Sequence, residues 1–200
     1  MAIAYLASAK TDRPHSALID CIESPVGIVA VVVRENHLVH CSIGSSGESD
    51  AQHWSRRHHL LARPAKLPQV RTALAAYFDG GPLNIPAPLS LAFVSGTDFQ
   101  RRVWSVLAGI PWQTVTTYGA IAADLHSPRS VRAVGRAVGA NPLPLFLPCH
   151  RVVGNQGDLT GFSCGLSVKR QLLRIERMVV DDGDRVQMPH RHPLQQATLL

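Results

Sequence analysis

The stretch Ser127-Pro128-Arg129-Ser130-Val131-Arg132-Ala133-Val134-Gly135-Arg136-Ala137-Val138-Gly139 carries two opposed stripes. At helical spacing Val131, Val134 and Val138 share one face, and Arg129, Arg132 and Arg136, at i, i+3 and i+7, share the other. Ser127 is placed to cap, Pro128 suits the first helical position, and Gly139 falls just past the end. Residues 118–125 read as a shorter helix before it, with Thr117 as N-cap, and His126-Ser127 reads as the tight turn between the two. Two short helices joined by such a turn, the second bearing arginines, meet the needs of a helix-turn-helix. The valines would hold the helix to its domain while the arginines meet phosphates or base edges. Taken alone, the stripe is equally well explained as the solvated basic face of an ordinary amphipathic helix.

Upstream of this pair, Phe99, Val103, Val106, Leu107 and Ile110 keep helical spacing until Pro111 stops the run. Residues 80–88 hold three glycine or proline punctuations and read as a linker. Before the linker, residues 17–22, 28–33 and 38–43 are rich in β-branched side chains. They are separated by Ser24-Pro25-Val26-Gly27 and Arg34-Glu35-Asn36-His37, which predicts an antiparallel meander. Residues 51–62 read as a helix stopped before Pro64, residues 67–78 as a second helix ended by Gly80-Gly81, and residues 89–94 as one more strand. The expected fold class is α+β. A small N-terminal α/β domain with an antiparallel sheet runs to about residue 90, its linker starting near 80. A mostly helical domain follows over 91–178, then a polar tail over 179–200 that includes Pro189-His190-Arg191-His192-Pro193.

Composition narrows the class. The 200 residues carry a formal charge of +6 and a pI of about 9.6, which favours a polyanionic partner without establishing one. No apolar run approaches the roughly 20 residues that span a bilayer. The opening residues 1–10 lack the charged and apolar regions of a signal peptide and read as a loose terminus. Cys21, Cys41, Cys149 and Cys164 form no Cys-x-x-Cys pair, so free thiols in a reducing, cytoplasmic setting are expected. Cys21, His37, His40 and Cys41 have no ligand-type spacing and read as strand residues, with no metal and no cofactor expected.

The chemistry concentrates at Pro148-Cys149-His150-Arg151-Val152-Val153, which follows the apolar approach Leu143-Pro144-Leu145-Phe146-Leu147. A histidine and an arginine beside a cysteine both favour its thiolate, the form that attacks. Residues 169–180 read as a helix with Leu172, Leu173, Val179 and Val180 on one face and Glu176 in the middle of it. A carboxylate in an apolar stripe needs a partner. His150 would serve, giving a Cys–His–Glu relay; escape to solvent or pairing with Arg170 or Arg174 are the alternatives. Asn141-Pro142 suits a turn. Gly154, Gly157, Gly161 and Gly165 mark a loop, holding Ser163 and Cys164, that would let a flat ligand approach the backbone.

These residues resemble the O6-alkylguanine-DNA alkyltransferase family, the methylated-DNA–protein-cysteine methyltransferases. The likeness runs from Thr97 to Glu176 through Phe99-Gln100, Val103-Trp104, Ile110-Pro111, Thr117-Tyr118, Arg132-Ala133-Val134-Gly135, Asn141-Pro142, Pro148-Cys149-His150-Arg151-Val152, Gly157, Leu159, Gly161, Lys169, Leu172-Leu173 and Glu176. The resemblance implies a ribonuclease-H-like N-terminal domain and a winged-helix-like C-terminal one. It implies direct-reversal repair of O6-alkylguanine, with O4-alkylthymine as a further substrate, in double-stranded DNA bound through the minor groove. Arg132 would replace the flipped base, with Tyr118, Arg129, Ala133 and Arg136 also at the DNA. Cys149 would take the alkyl group once and irreversibly. His150, through a water to Glu176, would deprotonate it, Tyr118 would help the guanine leave, and Asn141 would tie the helix-turn-helix to the active-site loop. Pro148, Val152, Phe162, Ser163 and Cys164 would line the substrate pocket. A monomer is expected, with cooperative loading on DNA left open.

Three positions depart from the family pattern. Phe162 replaces a common tyrosine, Cys164 a common glycine, and Trp112-Gln113 stands where many members have glycine. A lesion-binding relative without transfer would lack Cys149. A thiol hydrolase would leave the arginines unexplained, and a transcriptional regulator would leave Cys149, His150 and Glu176 idle.

Overall fold

In the computed structural model, which describes residues 3–6, 15–85 and 87–187, the chain divides into two units. One comprises Met1–Gly96 with Pro142–Phe146, the other Thr97–Asn141 with Leu147–Leu200. Most of the expected loose terminus and the run from Pro189 to Pro193 lie outside the described residues.

The first unit holds β1 (Ala4–Tyr5), β2 (His15–Ser24), β3 (Gly27–Arg34), β4 (His37–Gly44), α1 (Gly47–Arg57), β5 (Leu60–Pro64), α2 (Pro68–Phe78) and β6 (Ser90–Phe93). The three valine- and isoleucine-rich strands form the expected meander, with Ser24 opposite Gly27 and Arg34 opposite His37. The whole sheet is mixed rather than antiparallel: its order is β1-β6-β4-β3-β2-β5, and β5 on β2, β6 on β4 and β1 on β6 are parallel. The correction has a local cause. The helix expected over 51–62 stops at Arg57, His59 turns the chain at φ +53, and Leu60–Pro64 then enters the sheet as a crossover strand. Leu60, Ala17, Ile19, Ala30, Val32, Val39 and Ala92 are buried in one cluster with Ala51 of α1, and Trp54 packs against it.

The second unit holds α3 (Asp98–Ala108), β7 (Thr116–Thr117), α4 (Tyr118–Asp124), α5 (Val131–Gly139), β8 (Val152–Val153) and α6 (Leu166–Ile175), with 3₁₀ turns at Pro128–Ser130 and Cys149–Arg151. Thr97 and Gln100 close a capping box on α3. From α3, Trp104 Nε1 donates to Ala137 O at 2.8 Å and Arg102 Nη2 to Leu125 O at 3.2 Å, so one helix secures both members of the α4–α5 pair. Thr117 caps α4 by accepting from Ala120 N at 3.1 Å. The turn after α4 has His126 at φ +54, with Ser127 N donating to Ala122 O and His126 N to Ala123 O. This is a Schellman ending with histidine in the place glycine usually takes.

Five details differ from expectation. Ser127 meets the Ser130 hydroxyl rather than capping a backbone amide. Val134 and Val138 are buried, but Val131 is 39% exposed, because the first turn is 3₁₀ and rotates it off the packed face. Gly139 lies inside α5. At the far end α6 stops at Ile175, so Glu176 is its C-cap. Arg177 at φ +59 turns the chain back, with Met178 N donating to Leu173 O. The stretch read as the start of a polar tail is partly packed. Met178, Val180 and Val186 are buried with Val115, Val153, Leu159 and Leu173, while Val179 faces out.

Candidate active site

Pro148, at φ −75 and ψ 65, makes an inverse γ-turn in which Cys149 N donates to Leu147 O at 2.7 Å. Arg151 N donates back to Pro148 O, so Cys149, His150 and Arg151 form one tight turn. That turn sets Cys149 against Asn141 and sends both His150 and Arg151 to Glu176. The β7/β8 ladder, Thr116 opposite Val152 and Thr117 opposite Val153, fixes it beside the start of α4, where Tyr118 stands.

Cys149 is 2% exposed. Burial pushes its thiol up to about 12, against an opposing hydrogen bond from Asn141 and the charge of Lys169. Asn141 Nδ2 donates to Cys149 Sγ at 3.0 Å and to Leu147 O at 2.9 Å, so one amide holds both the sulfur and the approach to it.

His150 and Glu176 are both fully enclosed. His150 Nε2 lies 2.7 Å from Glu176 Oε1. The bond is direct, whereas the expected route between these two side chains ran through a water. Burial alone would raise the Glu176 carboxyl, but His150 and Arg151 outweigh it and hold the group at about 2. An ionised carboxylate accepts, which places the imidazole proton on Nε2 and leaves Nδ1 as an acceptor. Nδ1 is buried and has no hydrogen-bond partner among the described residues. Burial lowers the His150 pKa, so the ring rests neutral.

Arg151 does not face the sulfur. Its Nε donates to Glu176 Oε2 and its Nη2 to Oε1, both at 2.9 Å, its Nη1 to Ile110 O at 2.7 Å, and its guanidinium lies 5.8 Å from the Trp112 ring. Glu176 thus has a partner absent from the sequence reading, neither Arg170 nor Arg174. The cation that favours the thiolate is Lys169. It is fully buried and lowered by burial to about 8, and its Nζ donates to Val152 O at 2.6 Å and Thr160 O at 2.9 Å. Lys169, Leu172, Leu173 and Glu176 follow one helical stripe, so the spacing that singled out Glu176 also singles out Lys169.

Thr160 Oγ1 donates to the Tyr118 hydroxyl at 3.4 Å. Burial raises the Tyr118 pKa, keeping it a phenol able to donate. Beyond Thr160, Phe162 and Cys164 are half-buried and Ser163 is exposed, with Gly165 N donating to Phe162 O. Gln113 sits at φ +59, a left-handed position that suits glycine. On α5 and the turn before it, Arg129, Arg132 and Arg136 are all exposed and Ala133 is half-buried. The structure therefore gathers Asn141, Pro148, Cys149, His150, Val152 and Glu176 around one turn, links Tyr118 to it through Thr160, and leaves the arginines free on their own helix.

Cys21, Cys41, Cys149 and Cys164 are free thiols. Among the described residues no three His, Cys, Asp or Glu side chains form a metal-binding group, and no helix is long and apolar enough to cross a membrane. His40 stacks on Trp54.

Comparison with known proteins agrees with this geometry. Residues 98–178 match the family model described as 6-O-methylguanine DNA methyltransferase, DNA binding domain. A methylated-DNA–protein-cysteine methyltransferase of Methanosarcina barkeri is 36% identical over 159 residues, 78% of this chain and 95% of that one. One of Haemophilus influenzae is 34% identical over 164 residues, 80% and 87% of the two chains. Among solved structures, Mycobacterium tuberculosis OGT in complex with DNA aligns with a TM-score of 0.66 at 34% identity, covering 80% of this chain and 92% of that one. With 36% identity across nearly the whole of the Methanosarcina barkeri relative, and with the enclosed thiol, the His150–Glu176 pair and the helix pair in place, the chain belongs to the methylated-DNA–protein-cysteine methyltransferase family.

Proposed function

We propose that the protein repairs alkylated DNA by moving the alkyl group from O6 of guanine in a duplex onto Cys149, once per molecule and without a cofactor. The observation that carries this reading is the Cys149 thiol, enclosed, held by an amide donor at 3.0 Å, and next in sequence to an imidazole fixed by an ionised carboxylate. A thiol at about 12 must lose its proton before it attacks. His150 Nδ1 is the acceptor, through a bridging water, and Glu176 stabilises the imidazolium that forms. The Asn141 amide and the Lys169 charge stabilise the sulfur anion. Sγ then bonds to the alkyl carbon, the carbon–O6 bond breaks, and its electron pair leaves with guanine. The Tyr118 hydroxyl donates a hydrogen bond or proton to the departing base. The thioether that remains has no route back to a thiol, so turnover is single.

A base inside a duplex cannot reach a buried sulfur, so the nucleotide must be extruded. In this reading α5 lies in the minor groove. Arg132 fills the space the base leaves, Arg129 and Arg136 meet phosphates, and half-buried Ala133 permits close approach. The flipped base meets Pro148, Val152, Phe162, Ser163 and Cys164. The Val152 carbonyl, which already accepts from Lys169, has a second lone pair for it. O4-alkylthymine fits the same chemistry. We read the protein as a cytoplasmic monomer on DNA, the meander as ribonuclease-H-like, and α4–α5 with the β7/β8 ladder as winged-helix-like.

The test is mass spectrometry after mixing the protein with an equimolar duplex containing O6-methylguanine. One methyl group on the Cys149 peptide, with guanine restored in the DNA, is the expected result. Folded protein that binds the duplex and carries no adduct overturns the proposal.

A further inference from the structure

The loop from Gly154 to Gly165 contains four glycines, Gly154, Gly157, Gly161 and Gly165, and no helix or strand. Such a segment loses much conformational entropy on ordering, so something must hold it. Lys169 holds its middle at Thr160. Its first half is held by the residues that follow α6.

Past Arg177 the chain returns in a narrow turn. Val180 bridges to Val186, and Asp181 Oδ1 accepts from Gly183 N and Arg185 N, both at 2.9 Å. Asp184, at φ +59, is the centre of the contact. Its carbonyl accepts from Leu159 N at 2.7 Å, and its carboxylate takes Arg170 Nε of α6 at 2.7 Å. Arg185 Nε donates to Asp158 Oδ1 at 2.8 Å, and Val186 N donates to Gly157 O at 3.0 Å. Beneath these bonds Met178, Val180 and Val186 are buried against Leu159 and Val153. The approach is close enough to dictate a residue type. A Cβ on Gly157 would lie 2.5 Å from Val186 O, and Gly157 also sits at φ +87, so only glycine passes beneath the returning chain.

We infer that residues 178–187 form a strap that pre-positions the Gly154–Gly165 loop for the flipped base, with Asp184 as its clasp and a positioning residue for the reaction. The inference rests on the reading of Cys149 as alkyl acceptor. Asp184 touches neither the thiol nor the relay. It acts by ordering the backbone that leads to Phe162, Ser163 and Cys164 before the base arrives, which removes that cost from binding.

Three variants test it: Asp184→Ala, Arg185→Ala, and Asp184→Asn, which keeps an acceptor for Arg170 and tolerates the left-handed backbone. Three quantities are read: hydrogen exchange across residues 154–165, the second-order rate of Cys149 alkylation by free O6-benzylguanine, and affinity for an undamaged duplex. Asp184→Ala is expected to speed exchange in the loop and slow alkylation about tenfold, the scale of a small misplacement of reacting groups, while duplex affinity holds. Arg185→Ala should do the same more weakly, and Asp184→Asn should recover most of the rate. Loop exchange and rate equal to wild type overturn the strap, as does faster exchange throughout 97–187 with a matching loss of duplex affinity, which marks general destabilisation. If wild-type protein does not react with O6-benzylguanine, the alkyl-transfer reading fails instead, and loop exchange alone judges whether Asp184 is a clasp.

Discussion

Arg151 and Glu176 are joined by two hydrogen bonds of 2.9 Å, Nε to Oε2 and Nη2 to Oε1. This fork supplies a permanent counter-charge to a fully enclosed carboxylate and leaves His150 free to rest neutral. Arg151→Met strands the charge, and breaking a buried pair costs about 3–5 kcal/mol, so a large drop in thermal stability is expected. In protein that still folds, His150 loses the neighbouring guanidinium that helps depress its pKa. The imidazole then keeps its proton to higher pH, and the acid limb of the alkylation rate moves upward. An acid limb that stays in place would separate Arg151 from the relay.

Asn141 predicts a different signature. Its Nδ2 hydrogen bond, at 3.0 Å, is the strongest influence on the sulfur that opposes burial. Asn141→Ala should push the Cys149 thiol still higher and slow transfer about 10- to 100-fold, the scale of a hydrogen bond to a charged group. The pH dependence of Cys149 alkylation by free O6-benzylguanine measures it. Wild-type kinetics in the variant would remove Asn141 from the chemistry.

The exposed arginines should separate DNA work from sulfur chemistry. Arg132→Ala is expected to slow repair of a duplex far more than reaction with free O6-benzylguanine, which needs no extrusion. Arg129→Ala and Arg136→Ala should each lower the salt dependence of duplex binding by about 0.9 in slope, the value of one phosphate contact. Equal losses on both substrates for Arg132→Ala would refute its part in extrusion.

Periodicity made the helix pair and the buried Glu176 legible in the sequence, because the 3.6-residue repeat that packs a helix also marks a charged residue on its packed face. Lys169 carries the same mark. The sequence could not say where the charges on adjacent residues point. His150 and Arg151 follow Cys149 directly, yet a 3₁₀ turn sends both to Glu176 and leaves thiolate support to Asn141 and Lys169. Leu60–Pro64 has no β-branched residue and continues a helical pattern, so only its pairing with β2 reveals a strand. The strap was hidden by its acidic turn. Asp181, Asp182 and Asp184 read as a solvated tail, whereas Val180 and Val186 on either side are buried.

His40 gives the first unit its own pH dependence. The ring stacks on Trp54 with centroids 4.4 Å apart and planes 10° from parallel, and Trp54 also contacts His58 at 4.3 Å. Burial, then His58, push the His40 pKa down to about 3, against the pull of Asp50 on α1. An unfolded histidine titrates near 6.5. Between those values the unfolded chain binds the proton and the folded chain does not, so stability falls as pH drops from about 6.5 toward 3. Glu176, held at about 2, adds its own loss only below the usual carboxylate range, and Lys169 acts only above about 8. His58 and His150 are lowered in the same direction. His40→Phe keeps the stack and removes the titration, so its thermal midpoint should fall less than wild type between pH 7 and pH 5, measured by scanning calorimetry over about that span. Identical pH dependence in the two proteins would show that His40 titrates like a solvated histidine and that the stack imposes no penalty on its charge.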